Sequence, residues 1–454
     1  MHETIESYNE STVEQKRRER FDAWLSPEGI EFKTPEAEQL YKQRVQRIID
    51  AIELKKPDKV PVYVHLGTLP ANYFGYKNKD VMYDYNKLKK AWLLFLEQYN
   101  LTPFDTFSAS GILPGRVLDI LDLKTYKWAG HGVPDNSSLQ YIEGGYMLAE
   151  EYPYFIEDPS SYTMKILLPR VLGSLEPLKS LPAFVEIGNS FVMNLAPYGS
   201  DEVLAAFRSL VEAGKEVRKF GKVVDHINNR IMSAGYPPFF AALPGTPIQA
   251  PFDGIANSRR GTVGLMLDIY RSKDIILEML EKLTQMTISQ ISRLTFVGGS
   301  PIVFMGLHRG ADGFMSEQQF TTFYWPYLKR VVLALIQNGF VPCLFAEGGY
   351  NSRLEIVKDL PAGKVIWHFD STDIAKAKKF LEGNACIMGN VPVSKLVACS
   401  PGEVKDYCKK LIEIAGQDGG FVLAPGAMSH EYKLENVAAM VESAKESGDG
   451  DVIA

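Results

Sequence analysis

Cysteine is scarce: Cys343, Cys386, Cys399 and Cys408 are the four in 454 residues, with no C-x-x-C pair and no dense spacing. A disulfide scaffold is excluded as the organising principle, and reduced thiols are expected. Charge of one sign is lacking too, since 49 basic residues stand against 55 acidic ones for a net −6. Without a basic excess, nucleic acid is not an expected partner. The short run Lys16-Arg17-Arg18 is followed by Glu19 and Arg20 and reads as the solvated face of a mixed-charge helix. No stretch of about 18 apolar residues occurs, so no helical membrane span is expected. The opening Met1-His2-Glu3-Thr4 has neither a basic segment nor an apolar one, so a secretory signal is not expected and a cytoplasmic location is. No G-x-G-x-x-G joins a strand to a helix, which weighs against a dinucleotide-binding open sheet.

What is present is an alternation of apolar runs and amphipathic segments. Apolar runs at Pro301–Gly306, Phe340–Ala346, Lys364–Phe369, Ala385–Met388 and Gly420–Leu423 are separated by helical patterns at about 273–296, 317–338, 351–360, 372–381, 402–416 and 432–446. Another helical pattern covers 202–235. Short apolar strands spaced by helices predict βαβ units and a parallel sheet. The expected fold is α/β, a (β/α)8 TIM-type barrel over 58–446 whose first strand is Val60–Leu66. Residues 1–57 read as a polar, peripheral helical extension and 447–454 as a flexible tail. The stretch 102–160, rich in aromatic residues, Gly and Pro, breaks the rhythm and reads as an inserted hairpin region near the barrel mouth.

Several segments resemble the uroporphyrinogen decarboxylase superfamily, strongly after residue 240 and loosely in 63–200. Met388-Gly389-Asn390-Val391-Pro392 followed by Ser400-Pro401-Gly402-Glu403-Val404 is similar to one of its strand ends and the next helix start. Met315-Ser316-Glu317 through Trp325-Pro326-Tyr327-Leu328-Lys329-Arg330, and Gly419-Gly420-Phe421-Val422-Leu423-Ala424-Pro425-Gly426, resemble two more of its segments, and Pro57-Asp58-Lys59-Val60-Pro61-Val62 resembles the barrel's opening. The resemblance implies one of two chemistries, decarboxylation of uroporphyrinogen or methyl transfer involving corrinoid proteins. The decarboxylase branch carries an arginine-rich loop after the first strand. Here the stretch Val64–Tyr73 has no arginine to hold a ligand with many carboxylates. The thiol-directed methyltransferase pattern is also absent, because Phe345 and Glu347 stand where that branch has His and Cys, and Ala427 stands where it has Cys.

Three residues stand at the ends of successive predicted strands: His308, Glu347 and, closing Lys364–Trp367, His368. The C-terminal strand ends of a βα barrel form its active face, and two imidazoles with a carboxylate make a known zinc set with one open position. Zinc on His308, Glu347 and His368 is therefore expected, although a lone strand-end histidine is more often a hydrogen-bonded structural residue. The 20-residue spacing from Glu347 to His368 resembles part of the zinc motif of ether-cleaving corrinoid methyltransferases, whose further Glu falls at Val332 here. Glu347, His308 and Arg309 are the expected catalytic residues. His65, Trp128, His131 and Arg353 are the expected substrate-binding residues, with Asp370 either orienting His368 or capping the next helix. Gln249, Asp253 and Asn257 sit in a Pro- and Gly-rich loop that either lines the pocket or is loop alone. His226 reads as structural, and His430 is undecided.

The implied activity is methyl transfer from a small donor, such as a methoxylated aromatic, to the cobalt of a separate corrinoid protein, with zinc or acid assistance. This chain shows no corrinoid-binding motif of its own, which places the corrinoid on the partner. The competing readings are a cofactor-free decarboxylase or lyase of a small carboxylate, held by Arg309 or Arg353, and a non-catalytic ligand carrier. Self-association, with a homodimer as the state considered, is open.

Overall fold

A computed structural model describes residues 10–101, 103–188, 192–243, 247–429 and 431–446. The expected tail at 447–454 and His430 lie outside the described residues. Helices α1 (Glu10–Leu25) and α2 (Pro35–Ile52) come first. A small sheet of β1 (Tyr126–Ala129), β2 (Gly132–Val133) and β3 (Gln140–Tyr141) follows. The main sheet is parallel and in sequential order: β4 (Ile302–Leu307), β5 (Val341–Ala346), β6 (Ile366–Phe369), β7 (Cys386–Val391) and β8 (Phe421–Pro425). Every residue of β5, β6, β7 and β8 is buried, as expected of parallel strands covered on both faces.

The two faces of this sheet meet different partners. Ile302, Val341, Cys343, Ile366, Cys386, Met388, Val422 and Ala424 pack with Trp24, Tyr41, Val45 and Ile48 of α1 and α2. The alternate residues, among them Met305, Leu344, Trp367, Ile387 and Leu423, pack with the surrounding helices, through side chains such as Val331, Leu381, Leu411 and Met440. The first face is therefore covered in part by α1 and α2, together with Tyr63 and Phe239, and polar side chains gather at the C-terminal strand ends. The extension is thus not peripheral, which corrects the sequence reading. Its surface positions carry most of the charge, while Tyr41, Val45, Ile48 and Ile52 form one apolar helical stripe. Thr34 caps α2 by accepting from Ala37 N at 3.2 Å, Pro35 starts the helix, and Glu36 and Glu38 favour its N-terminus.

Eight strands were expected, and a ladder of five is present among the described residues. The predicted first strand is reduced to a bridge from Val62 to Leu423, with Tyr63 N donating to Leu423 O at 3.0 Å and Leu423 N to Pro61 O at 2.9 Å. On the other edge Ala241 N donates to Ile302 O at 2.8 Å. Pro61, Pro237 and Pro238 have no N–H to give a ladder. Side chains supply links there instead. The buried Asp105 accepts from Val62 N at 2.9 Å and from Arg47 Nη1 at 2.5 Å, and Arg47 also grips Asp58, with Nε to Oδ1 at 2.6 Å. Arg44 donates to Gly235 O at 2.6 Å and lies over the Tyr236 ring. Two buried arginines of α2 therefore tie both appended segments to the extension. No helix among the described residues is long and apolar enough to cross a membrane.

Removing one partner of a buried pair leaves the other charge uncompensated, at about 3–5 kcal/mol. Asp105→Ala is expected to lower folding stability by that order, read as a lower urea midpoint. An unchanged midpoint would show that the pair does not hold these segments.

Candidate active site

Parallel register sets the geometry of the site. Leu307 pairs with Ala346 and Ala346 with Phe369, so the next residues, His308, Glu347 and Asp370, emerge side by side at the C-terminal strand ends. His308 Nδ1 lies 2.6 Å from Glu347 Oε2. A side chain at residue 306 would crowd the His308 ring, as a Cβ there would lie 3.0 Å from Cε1 and Nε2; Gly306 leaves it room. Asp370 Oδ2 accepts from Gly348 N at 3.0 Å and so holds the loop after Glu347. Burial and the charge of Glu347 both raise the Asp370 carboxyl above its usual value.

The backbone that carries His308 is fixed by Asp253, which is fully buried. Its Oδ2 accepts from His308 N at 3.0 Å and from the Tyr324 hydroxyl at 2.6 Å, and its Oδ1 accepts from Arg309 N at 3.0 Å. Burial pushes this carboxyl up, while the neighbouring His308 charge and the hydrogen bonds pull the other way. Arg309 Nε in turn donates to Thr262 Oγ1 at 2.9 Å.

These groups face a cavity of about 580 Å³ lined by Tyr126, Tyr141, Asn257, His308, Arg309 and Glu347, among others. This is within the usual size of a small-molecule site. The hydrogen bond to Glu347 raises the His308 imidazole above its ordinary value, and the same bond lowers the Glu347 carboxyl. The bond therefore favours the imidazolium–carboxylate form of the pair, and both side chains line the cavity.

The other expected site residues are placed elsewhere. His368 is one side-chain layer deeper than His308 and Glu347, beside Phe345, with ring centroids 4.8 Å apart. Its Nε2 is 2.8 Å from Pro425 O, and burial lowers its pKa to about 4. Among the described residues no three His, Cys, Asp or Glu side chains come together in a metal-holding group. The residues present thus do not fit zinc on His308, Glu347 and His368, because His368 is two residues short of the rim position that Asp370 occupies.

Arg353 is buried in the core instead of at the cavity. It donates to Met315 O and Gly310 O and lies over the Phe320 ring. Trp128 stacks on His131 at 4.6 Å and donates to the Tyr83 hydroxyl, and His131 Nε2 lies 3.1 Å from Asp119. Neither ring lines the cavity; from the small sheet it is Tyr126 and Tyr141 that do so. His65 is buried, with its Nδ1 3.4 Å from Ser110 Oγ, and it too is absent from the cavity lining. Sequence reasoning missed Tyr324 and left Asp253 either lining the pocket or in loop alone, since nothing in a Pro-Phe-Asp-Gly segment signals a buried acceptor.

Residues 245–447 match the family model described as uroporphyrinogen decarboxylase (URO-D). That segment is less than half of the chain and contains all five strands of the main sheet. The chain is 23% identical over 231 residues to uroporphyrinogen decarboxylase of Coxiella burnetii (strain RSA 493 / Nine Mile phase I), covering 50% of this chain and 60% of that protein. It is 26% identical over 186 residues to uroporphyrinogen decarboxylase of Chlorobaculum parvum (strain DSM 263 / NCIMB 8327), covering 39% and 51% respectively. The chain thus spans between half and three fifths of the length of these relatives. A solved methyltransferase from Methanosarcina mazei is similar over 90% of this chain and 98% of its own, with a TM-score of 0.53 and 16% identity. At that identity the likeness shows a shared fold.

The shifts have a sign that can be measured. The raised His308 contributes fully below its ordinary value of 6.5 and fades as pH rises through its raised value. The lowered Glu347 contributes above its ordinary 4.5 and fades as pH falls through its lowered value. An NMR titration is expected to show one imidazole, absent in His308→Gln, that deprotonates above 6.5 and shifts to lower pH in Glu347→Gln. An imidazole indifferent to Glu347→Gln would mean that the pair is not formed in solution.

Proposed function

We propose that this chain transfers a methyl group from a small methoxylated aromatic donor to the cobalt of a corrinoid carried by a separate protein. The observation that carries this reading is the His308–Glu347 pair, whose bond raises the imidazole above its ordinary value, at the lining of a cavity walled by Tyr126 and Tyr141. An ether oxygen is a poor leaving group and needs a proton as the carbon–oxygen bond breaks. The partner's reduced corrinoid supplies the nucleophile that takes the methyl carbon. His308 gives its proton to the departing oxygen, so the donor leaves as a neutral phenol and the imidazole is left neutral. Glu347 keeps the imidazole oriented and charged beforehand, and Asp253 keeps its backbone in place. The tyrosine rings offer the donor ring offset or edge contacts. The fold shared with a methyltransferase is consistent with this use, and closure of the sheet and its appended segments into a full eight-stranded barrel belongs to the same proposal.

A second reading, decarboxylation of a small carboxylate with Arg309 holding the acid, is favoured by the activity in the relatives' names. It differs in needing no corrinoid. Uroporphyrinogen itself is not expected as substrate, since Val64–Tyr73 contains no arginine. No coproporphyrinogen should form on incubation with it.

The test is incubation with a reduced corrinoid protein and a panel of methoxylated aromatics, followed by the visible spectrum of the corrinoid. His308→Gln is expected to slow the reaction about 10²–10⁴-fold, the usual worth of a general acid. The native rate should fall as pH rises through the raised His308 value. No methylation of the corrinoid from any donor would sink the proposal. Zinc analysis of the same protein separates acid from metal assistance: stoichiometric zinc lost in His308→Ala and Glu347→Ala would replace the imidazolium by a Lewis acid.

A further inference from the structure

A second cavity, of about 750 Å³, lies against the first. Gln249 and Ser258 line both. The second is bounded by the loop from Pro247 to Arg259 and by the helix Lys273–Ser292 with Arg293 just beyond it. Its charged lining residues are Arg259, Lys282 and Arg293, and no Asp or Glu lines it. Among the described residues none of the three cations is in an ion pair with a carboxylate.

Arg259 is the most informative of them. Its Nη1 donates to Gly254 O at 2.7 Å and its guanidinium lies over the Phe155 ring. Its Nε is sealed from solvent and has no hydrogen-bond partner. Burial pulls its pKa down to about 10. A guanidinium kept half-buried without a carboxylate costs folding free energy that an anionic ligand would offset.

We propose that the second cavity takes an anionic group, a carboxylate or a phosphate, at the far end of the donor whose methoxy ring occupies the first. Arg259, Lys282 and Arg293 recognise the anion, and the wall at Gln249 and Ser258 marks the passage between the two compartments. A single-ring donor would leave the larger cavity unused, whereas an elongated one spans both. The donor class is therefore an aryl methyl ether with an acidic tail. This inference rests on the reading of the first cavity as the place where the methyl ether reacts.

The test uses 4-methoxyphenyl alkanoic acids of increasing chain length and their primary amides, with binding measured by calorimetry. At one chain length the acid is expected to bind about tenfold or more tightly than its amide, as charge-assisted hydrogen bonds allow. In the Lys282→Gln/Arg293→Gln variant, which keeps Arg259, the acid's advantage should fall by about threefold or more while the affinity of the amide is unchanged. Lys282 is half-buried and Arg293 exposed, so the fold is expected to survive, and Arg259→Lys checks the third cation separately. Equal binding of acid and amide at every length overturns the proposal, as does a preference undiminished in the double variant. Binding needs no corrinoid, so the two readings fail separately. An acid preference reduced in the variant, with no methyl transfer from any probe, supports the anion compartment and removes the donor reading. Transfer at equal rates from acids and amides, with equal affinities, retains the donor reading and overturns the compartment.

Discussion

Three hydrogen bonds to one buried carboxylate decide what the mouth of this molecule can do. Asp253 has no contact with solvent, and a charge in that position is tolerated only when its oxygens are matched by donors. Two of its donors are the consecutive backbone N–H groups of His308 and Arg309, and the third is the Tyr324 hydroxyl. The carboxylate thereby continues the direction of β4 beyond its last ladder bond. His308 then emerges in register with Glu347, and the side chain of Arg309 is sent to Thr262 on the rim. Positioned donors and acceptors of this sort are what general acid chemistry requires, because a proton transfer depends on distance before it depends on pKa.

The parts of the fold written as continuous apolar runs were readable from the sequence. All five parallel strands begin within two residues of their predicted starts, because a strand buried on both faces leaves a local signature. His308 and Glu347 were legible for the same reason, being the first polar residues after β4 and β5. The error at His368 comes from the same rule. Trp367-His368-Phe369 is one apolar run containing a histidine, and composition does not tell whether the histidine ends the strand or lies within it. Pairing with Phe345 settles the matter, since parity then sends His368 to the layer below and Asp370 to the rim. The role of Asp253 was not legible, because its partners lie 55, 56 and 71 residues away. Arg353 likewise has no local mark separating a guanidinium bound to core carbonyls from one bound to substrate.

The aromatic insertion shows a related limit. Trp128 and His131 are the conspicuous residues there, yet they satisfy each other and Tyr83, while Tyr126 and Tyr141 line the cavity. A cluster rich in aromatic side chains announces packing, and only the three-dimensional arrangement says which ring is left over for a ligand. The result is a cavity with few charges: His308 against Glu347, and Arg309 tethered to Thr262.

The partial covering of one sheet face by α1 and α2 also bears on how the chain is made. Trp24 and Tyr41 are synthesised long before Val422 and Ala424 of β8, with which they share one cluster. At roughly 5–20 residues per second, translation leaves that cluster incomplete for on the order of 20–80 s. During that interval a strongly apolar helix face waits on the ribosome for its partner. Shielding by a holding chaperone, or transient association of α1 with α2, is what such an interval demands of the cell. The order of synthesis and the order of burial are thus reversed for this cluster.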